Sequence, residues 1–128
     1  MSMDEAYRHI IEDYMIAYNT FNIEGMLKHM HVDVVFENRS EGQRTHRTEG
    51  IEALRQQAET ASTLFNERKQ TIKKWCFLDH QVRVTIDYQA TLATELPNGL
   101  KKGDTLSLSG YSTFFFKNDL IIQLVDES

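Results

Sequence analysis

The chain has 128 residues with a hydrophobic share of 41%, which fits one ordinary domain with a single core. Its net charge of −5 and pI near 5.5 argue against a phosphate footprint for nucleic acid, and no apolar run approaches the roughly 20 residues of a membrane span. Cys76 is the only cysteine, so no internal disulfide can form; the start, Met1-Ser2-Met3-Asp4-Glu5, is acidic with no apolar stretch behind it, and the expected location is the cytoplasm.

In chain order, Ile10, Tyr14, Ala17 and Phe21 fall at helical spacing, widened by Tyr7, Ile11 and Tyr18, and predict a helix from about Asp4 to Phe21. Asn22 is a good N-cap for a short second helix, Ile23 to about His31, with Met26, Leu27 and Met30 on its buried stripe. Val32 to Glu37 reads as a strand. Asn38 to Glu49 is polar and without period, and is expected to be a loop holding at most one short strand. Gly50 opens a third helix, Ile51 to about Phe65. Beyond it the chain turns to strand. Ile72 to Leu78 is ambiguous in phase, since either Trp75 and Phe77 or Ile72, Cys76 and Leu78 can face inward. The basic cluster Arg68-Lys69 with Lys73-Lys74 reads as a solvated strand edge.

The clearest pattern runs from Val82 to Phe116. Val82, Val84, Ile86, Tyr88, Ala90 and Leu92 alternate with polar residues, and so do Leu106, Leu108, Ser112, Phe114 and Phe116 on the far side of a turn at Pro97-Asn98-Gly99. A one-residue slip would expose the whole apolar set, so the register of this hairpin is well specified. Asp79-His80-Gln81 and Lys117-Asn118-Asp119 are further turns, and Leu120 to Val125 is the last strand. Helices followed by hairpin-linked strands indicate an α+β domain with its helices on one face of the sheet.

Three local patterns then matter together: Asn19 to Leu27, a polar break before an amphipathic helix; Val34-Val35-Phe36-Glu37-Asn38 followed by Thr48-Glu49-Gly50-Ile51; and the closing Ile121-Ile122-Gln123-Leu124-Val125-Asp126. In order and spacing they resemble the nuclear transport factor 2-like superfamily, and within it the SnoaL-like proteins, over nearly the whole chain as one domain, 1–128. The resemblance implies a cone, a curved mixed or antiparallel sheet wrapped around three helices, and a homodimer through the outer sheet face. The superfamily includes ketosteroid isomerases, polyketide cyclases, epoxide hydrolases and dehydratases, so fold does not decide function. Set against the isomerase pattern, Tyr14 falls where that enzyme keeps its oxyanion-hole tyrosine, Asn38 where it keeps its carboxylate base, and Ser112 where it keeps a protonated aspartate. Asn38 cannot accept a proton, which argues against the isomerase mechanism. SnoaL-like cyclases use an aspartate late in the chain as acid/base, and Asp126 is a loose positional match.

Read from the residues themselves, Tyr14 is either a core tyrosine or a pocket donor, and Asn38 either a turn residue or a pocket amide. Tyr88 and Ser112 lie on apolar strand faces and point to a pocket, because a buried hydroxyl needs a partner or a cavity. Trp75 either caps the cone mouth or fills the dimer face. Asp126 is a solvated terminal charge or the acid/base. Glu37 and Asp87 look exposed by parity, and Cys76 reads as a buried thiol. His29 and His31 point to different faces of the predicted helix, so no metal is expected, and no cofactor motif is present. The expectation is a pocket for a small hydrophobic or aromatic molecule. Any turnover would be cofactor-independent isomerase, cyclase or hydratase chemistry, with Tyr14 and Asp126 as the catalytic pair. The alternative is a non-catalytic association module joined through Tyr111, Thr113 and Phe115.

Overall fold

The computed structural model describes residues 2–128. Its elements are α1 (Met3–Asn19), α2 (Ile23–Leu27), β1 (Met30–Ser40), β2 (Gln43–Glu49), α3 (Ile51–Ser62), β3 (Phe65–Leu78), β4 (Gln81–Leu92), β5 (Thr105–Lys117) and β6 (Leu120–Glu127). The six strands form one curved, unclosed sheet in the order β2-β1-β6-β5-β4-β3, antiparallel except for the parallel β1–β6 pair. With the three helices it makes the expected α+β cone.

Helix α1 begins at Ser2, whose Oγ accepts the Glu5 N–H at 3.1 Å, with Asp4 and Glu5 in the first turn complementing the helix dipole. It buries Tyr7, Ile10, Ile11, Tyr14, Met15 and Ala17, the stripe set by the sequence spacing. It ends in a Schellman closure: Asn22 N–H donates to the Ala17 carbonyl and Phe21 N–H to the Tyr18 carbonyl. Phe21 takes the left-handed position of that motif, with φ 58°, where glycine is usual; a side chain there costs on the order of 1–2 kcal/mol.

Helix α2 stops at Leu27, short of the predicted His31. The Ile121 N–H captures the His29 carbonyl at 2.8 Å and draws Met30 into the sheet, so cross-strand bonding overrides the helical spacing of Met30. The segment expected to be a loop is a hairpin. Glu41 and Gly42 both have positive φ, the requirement of a two-residue type I′ turn, and Ser40 pairs with Gln43. Most of β2 is exposed, which is why no alternation marked it.

The phase ambiguity of β3 has a physical cause. The register against β4 slips between Ile72 and Lys74, leaving Lys73 as the extra residue of a bulge. Ile72 then opposes Ile86, while Trp75 and Phe77 oppose Val84 and Val82, so residues of opposite parity share the inner face. Cys76 is consequently exposed, not buried. The β4–β5 hairpin keeps the register its pattern demanded. Val82, Val84, Ile86, Ala90, Leu92, Phe114 and Phe116 are buried, with Phe114 wholly enclosed. Leu108, on the same face, is 50% exposed, because the cone opens there.

Candidate functional site

The parallel β1–β6 pairing and the antiparallel β5–β6 pairing set three polar residues in a row across the sheet. Asp126 lies between the other two, with Asn38 as its register partner on one side and Ser112 on the other. The chain end is held in place beyond them: Ser128 N–H donates to the Arg39 carbonyl, and Glu41 N–H donates to the Ser128 carbonyl. Asp126 is thus fixed in the sheet interior and is not a frayed terminal charge.

These residues line a cavity of about 180 Å³, together with Tyr18 from α1, Gln70 from β3 and Tyr88 from β4. Ser112 Oγ donates to Asp126 Oδ1 at 2.7 Å, and among the described residues Oδ2 has no partner. Burial raises the Asp126 carboxyl to about 6, with the Ser112 hydrogen bond acting in the opposite direction. The Tyr18 and Tyr88 hydroxyls share one hydrogen bond of 3.2 Å, which uses one of their two protons and leaves the other free. Burial holds both phenols above their ordinary value, so each remains a neutral donor at neutral pH.

Tyr14 is buried behind this wall. Its ring stands edge-on to Phe114 at 5.6 Å and lies 6.3 Å from the Tyr18 ring. Its phenol is raised well above the ordinary value, first by burial and then by the Asp126 charge. Its hydroxyl has no hydrogen-bond partner among the described residues. Among the described residues the one side-chain polar atom both sealed and unpaired is Thr48 Oγ1, so the Tyr14 hydroxyl is not sealed off.

Asn38, Tyr88, Ser112 and Asp126 therefore meet at one cavity, with Tyr14 adjoining it. Trp75 does not join them. It faces α1, stacked on Phe77 with a centroid distance of 5.6 Å and lying under the Arg8 guanidinium, so it neither caps this cavity nor belongs to the outer sheet face. Tyr18 and Gln70 were missed. Tyr18 follows Tyr14 by one helical turn on the same stripe, which was a usable signal; Gln70 lies upstream of the bulge, in a run too polar to show its phase. Two further expectations fail. Glu37 is not exposed: Arg39 and Arg47 bind it at 2.9 and 2.6 Å, with Arg44 at 3.7 Å, and their side chains shield it from solvent. Their hydrogen bonds, led by that of Arg39, hold its carboxyl below the ordinary value. Arg68 is not a solvated edge residue either, being 5% exposed. Among the described residues no three His, Cys, Asp or Glu side chains cluster closely enough to hold a metal ion, and no helix is long and apolar enough to cross a membrane.

The chain belongs to the SnoaL-like domain family, whose sequence model matches residues 11–124. A candidate polyketide cyclase from Xanthomonas campestris pv. campestris superposes with a TM-score of 0.83 at 16% identity, covering 97% of this chain and 90% of that one. TerC, co-crystallised with polyporic acid, gives 0.76 at 17% identity over 94% and 89% of the two chains. An NTF2-like protein of unknown function from Burkholderia pseudomallei K96243 gives 0.78 at 14% identity over 98% and 90%. At these identities the likeness is one of fold. Among curated proteins none matches the chain.

Proposed function

We propose that this chain catalyses cofactor-independent proton transfer on a small cyclic carbonyl compound, with Asp126 as acid/base. The observation that carries the reading is the free Oδ2 of a carboxylate held in a partly apolar cavity beside unspent hydroxyl donors. A carboxyl poised near 6 is largely ionised at neutral pH yet basic enough to take a proton from carbon next to a carbonyl. The negative charge that then develops on the carbonyl oxygen meets the free proton of the Tyr18–Tyr88 pair and the Asn38 amide. Ser112 holds the carboxylate in place through Oδ1. Tyr14 stands behind the site, supporting the Tyr18 ring, and is not among the residues that line the cavity.

Size narrows the substrate. A dry cavity of about 150 Å³ admits one benzene ring, so about 180 Å³ seats one ring beside Asp126, with the rest of any larger substrate projecting through the opening at Leu108. Cyclase-type carbon–carbon bond formation begins with the same deprotonation, and the family membership supports that class. The association-module reading requires a filled cone, and the open cavity counts against it. A homodimer through the outer sheet face stays part of the proposal, with exposed Tyr111, under the Arg83 guanidinium at 4.1 Å, at its centre; sedimentation of Tyr111→Glu as a monomer would support it.

The test of turnover is deuterium incorporation from D₂O into monocyclic ketones and 1,3-diketones, followed by NMR. Exchange should rise with pH through about 6 and vanish in Asp126→Asn. Exchange that is equal in the variant, or absent across the panel, would sink the proposal.

A further inference from the structure

Arg68 is a buried cation with no acid within ion-pair distance among the described residues, whereas Glu37, which is likewise buried, is fully paired with arginines. Buried charges are normally matched, because an ion taken from water without a counter-ion is costly. The protein supplies part of the compensation. Arg68 Nε donates to the Tyr18 carbonyl at 2.9 Å, at the negative end of α1, and the guanidinium lies over the Tyr18 ring at 3.8 Å and the Phe21 ring at 4.5 Å. Nη2 makes only a 3.7 Å contact with Met26 Sδ. Of five N–H donors, one is well used and one is weakly used. Among the described residues Nη1 has no partner and the only sealed orphan side-chain atom is Thr48 Oγ1, so Nη1 is not sealed off. The free edge, Nη1 with Nη2, has the geometry that grips a carboxylate with two parallel hydrogen bonds.

The surroundings offer a place for what such a group would carry. Arg68 lines a groove of about 630 Å³ with Asn19, Phe21, Ala90 and Leu106. Its remaining charged neighbours, Glu67 and Lys69, are one of each sign. Ala90 pairs with Leu106 one step along the β4–β5 hairpin from the Tyr88–Leu108 pair at the mouth of the Asp126 cavity, a separation of roughly 7 Å along the strands. Phe21 holds its ring over Arg68 from a backbone position that glycine would occupy without strain.

We propose that Arg68 is the anion receptor of a second binding site, which takes a carboxylate carried on a small apolar body. This assignment stands whether or not Asp126 turns a substrate over. The test is an NMR titration of the Arg68 Nε–Hε signal, assigned by its absence in Arg68→Lys, with sodium benzoate and with benzamide at matched ionic strength. Benzoate should shift the signal saturably, and benzamide should bind about tenfold or more weakly, as expected when a charge-assisted hydrogen bond is lost. Arg68→Met, which keeps the apolar stem, should lose the benzoate response at the Phe21 amide; should it fail to fold, the wild-type titration decides alone. An unmoved signal, or equal response to benzamide, overturns the proposal. Phenyl phosphate binding more tightly than benzoate would overturn the choice of carboxylate. Asp126→Asn should bind benzoate at least as well as the wild type while losing deuterium exchange, so the two proposals fail separately.

Discussion

Replacing Asp126 by Asn should stabilise the fold at neutral pH. A carboxyl that titrates at 3.8 when unfolded and at about 6 when folded binds more protons in the native state across that window. Stability therefore falls as pH rises from about 4 to about 6 and stays lower above it. The interval corresponds to on the order of 3 kcal/mol at full burial, and the carboxylate's residual access through the cavity brings the expected figure to about 2 kcal/mol. Asn keeps an oxygen that accepts from Ser112 Oγ and carries no charge to desolvate. Urea unfolding of both proteins at several pH values between 4 and 8 would measure the effect. The variant should match the wild type near pH 4 and exceed it by about 2 kcal/mol at pH 7.5. A variant that is less stable at pH 7.5, or one with the wild-type pH slope, would show that Asp126 is stabilised where it sits and would refute the claim of a strained, poised carboxylate.

Other perturbations have equally definite expectations. A Cβ at Gly110 would overlap the Glu127 carbonyl and force the end of β6 to move, so Gly110→Ala should cost about 1–3 kcal/mol and reduce exchange by displacing Asp126; thermal melts and the deuterium assay check both. Tyr88→Phe removes one hydroxyl of the shared pair and should lower exchange about a hundredfold with an unchanged melting point. Glu37→Ala leaves Arg39, Arg44 and Arg47 facing one another without their common acceptor, so the melting point should fall, and by less in high salt. Asp13 is held below the ordinary value chiefly by its hydrogen bond from His29; that support is present above the unfolded value and lost as pH falls through the folded one, so His29→Gln should flatten the acid limb of the stability curve.

What could be read from the sequence was whatever repeats on a single face. The β4–β5 hairpin and α1 bury one face against the core, so period two and period 3.6 stood out and fixed their inward residues. Strand β2 buries almost nothing and carries no such imprint. Lys73 shifts the parity of β3 midway, and no count of alternating residues can reveal a bulge from inside its own strand. The site is legible to the extent that hydroxyls on apolar faces are: Ser112 and Tyr88 pointed to a cavity. The state of Asp126 was not, because its burial comes from β1, nearly ninety positions away in the chain, through the Asn38–Asp126 pairing. Arg68 hid for a related reason. In a polar run a cation reads as solvated, and only the return of Tyr18 and Phe21 over β3 encloses it.

The most direct test of the central claim is the titration of the Asp126 carboxyl carbon in the ¹³C-labelled protein. The midpoint of that titration reads directly how far burial has raised the carboxyl. A value near 6 is the result expected of a desolvated acid/base, and a value near the ordinary 3.8 would mean that water reaches this carboxylate freely and that the cavity holds no poised base.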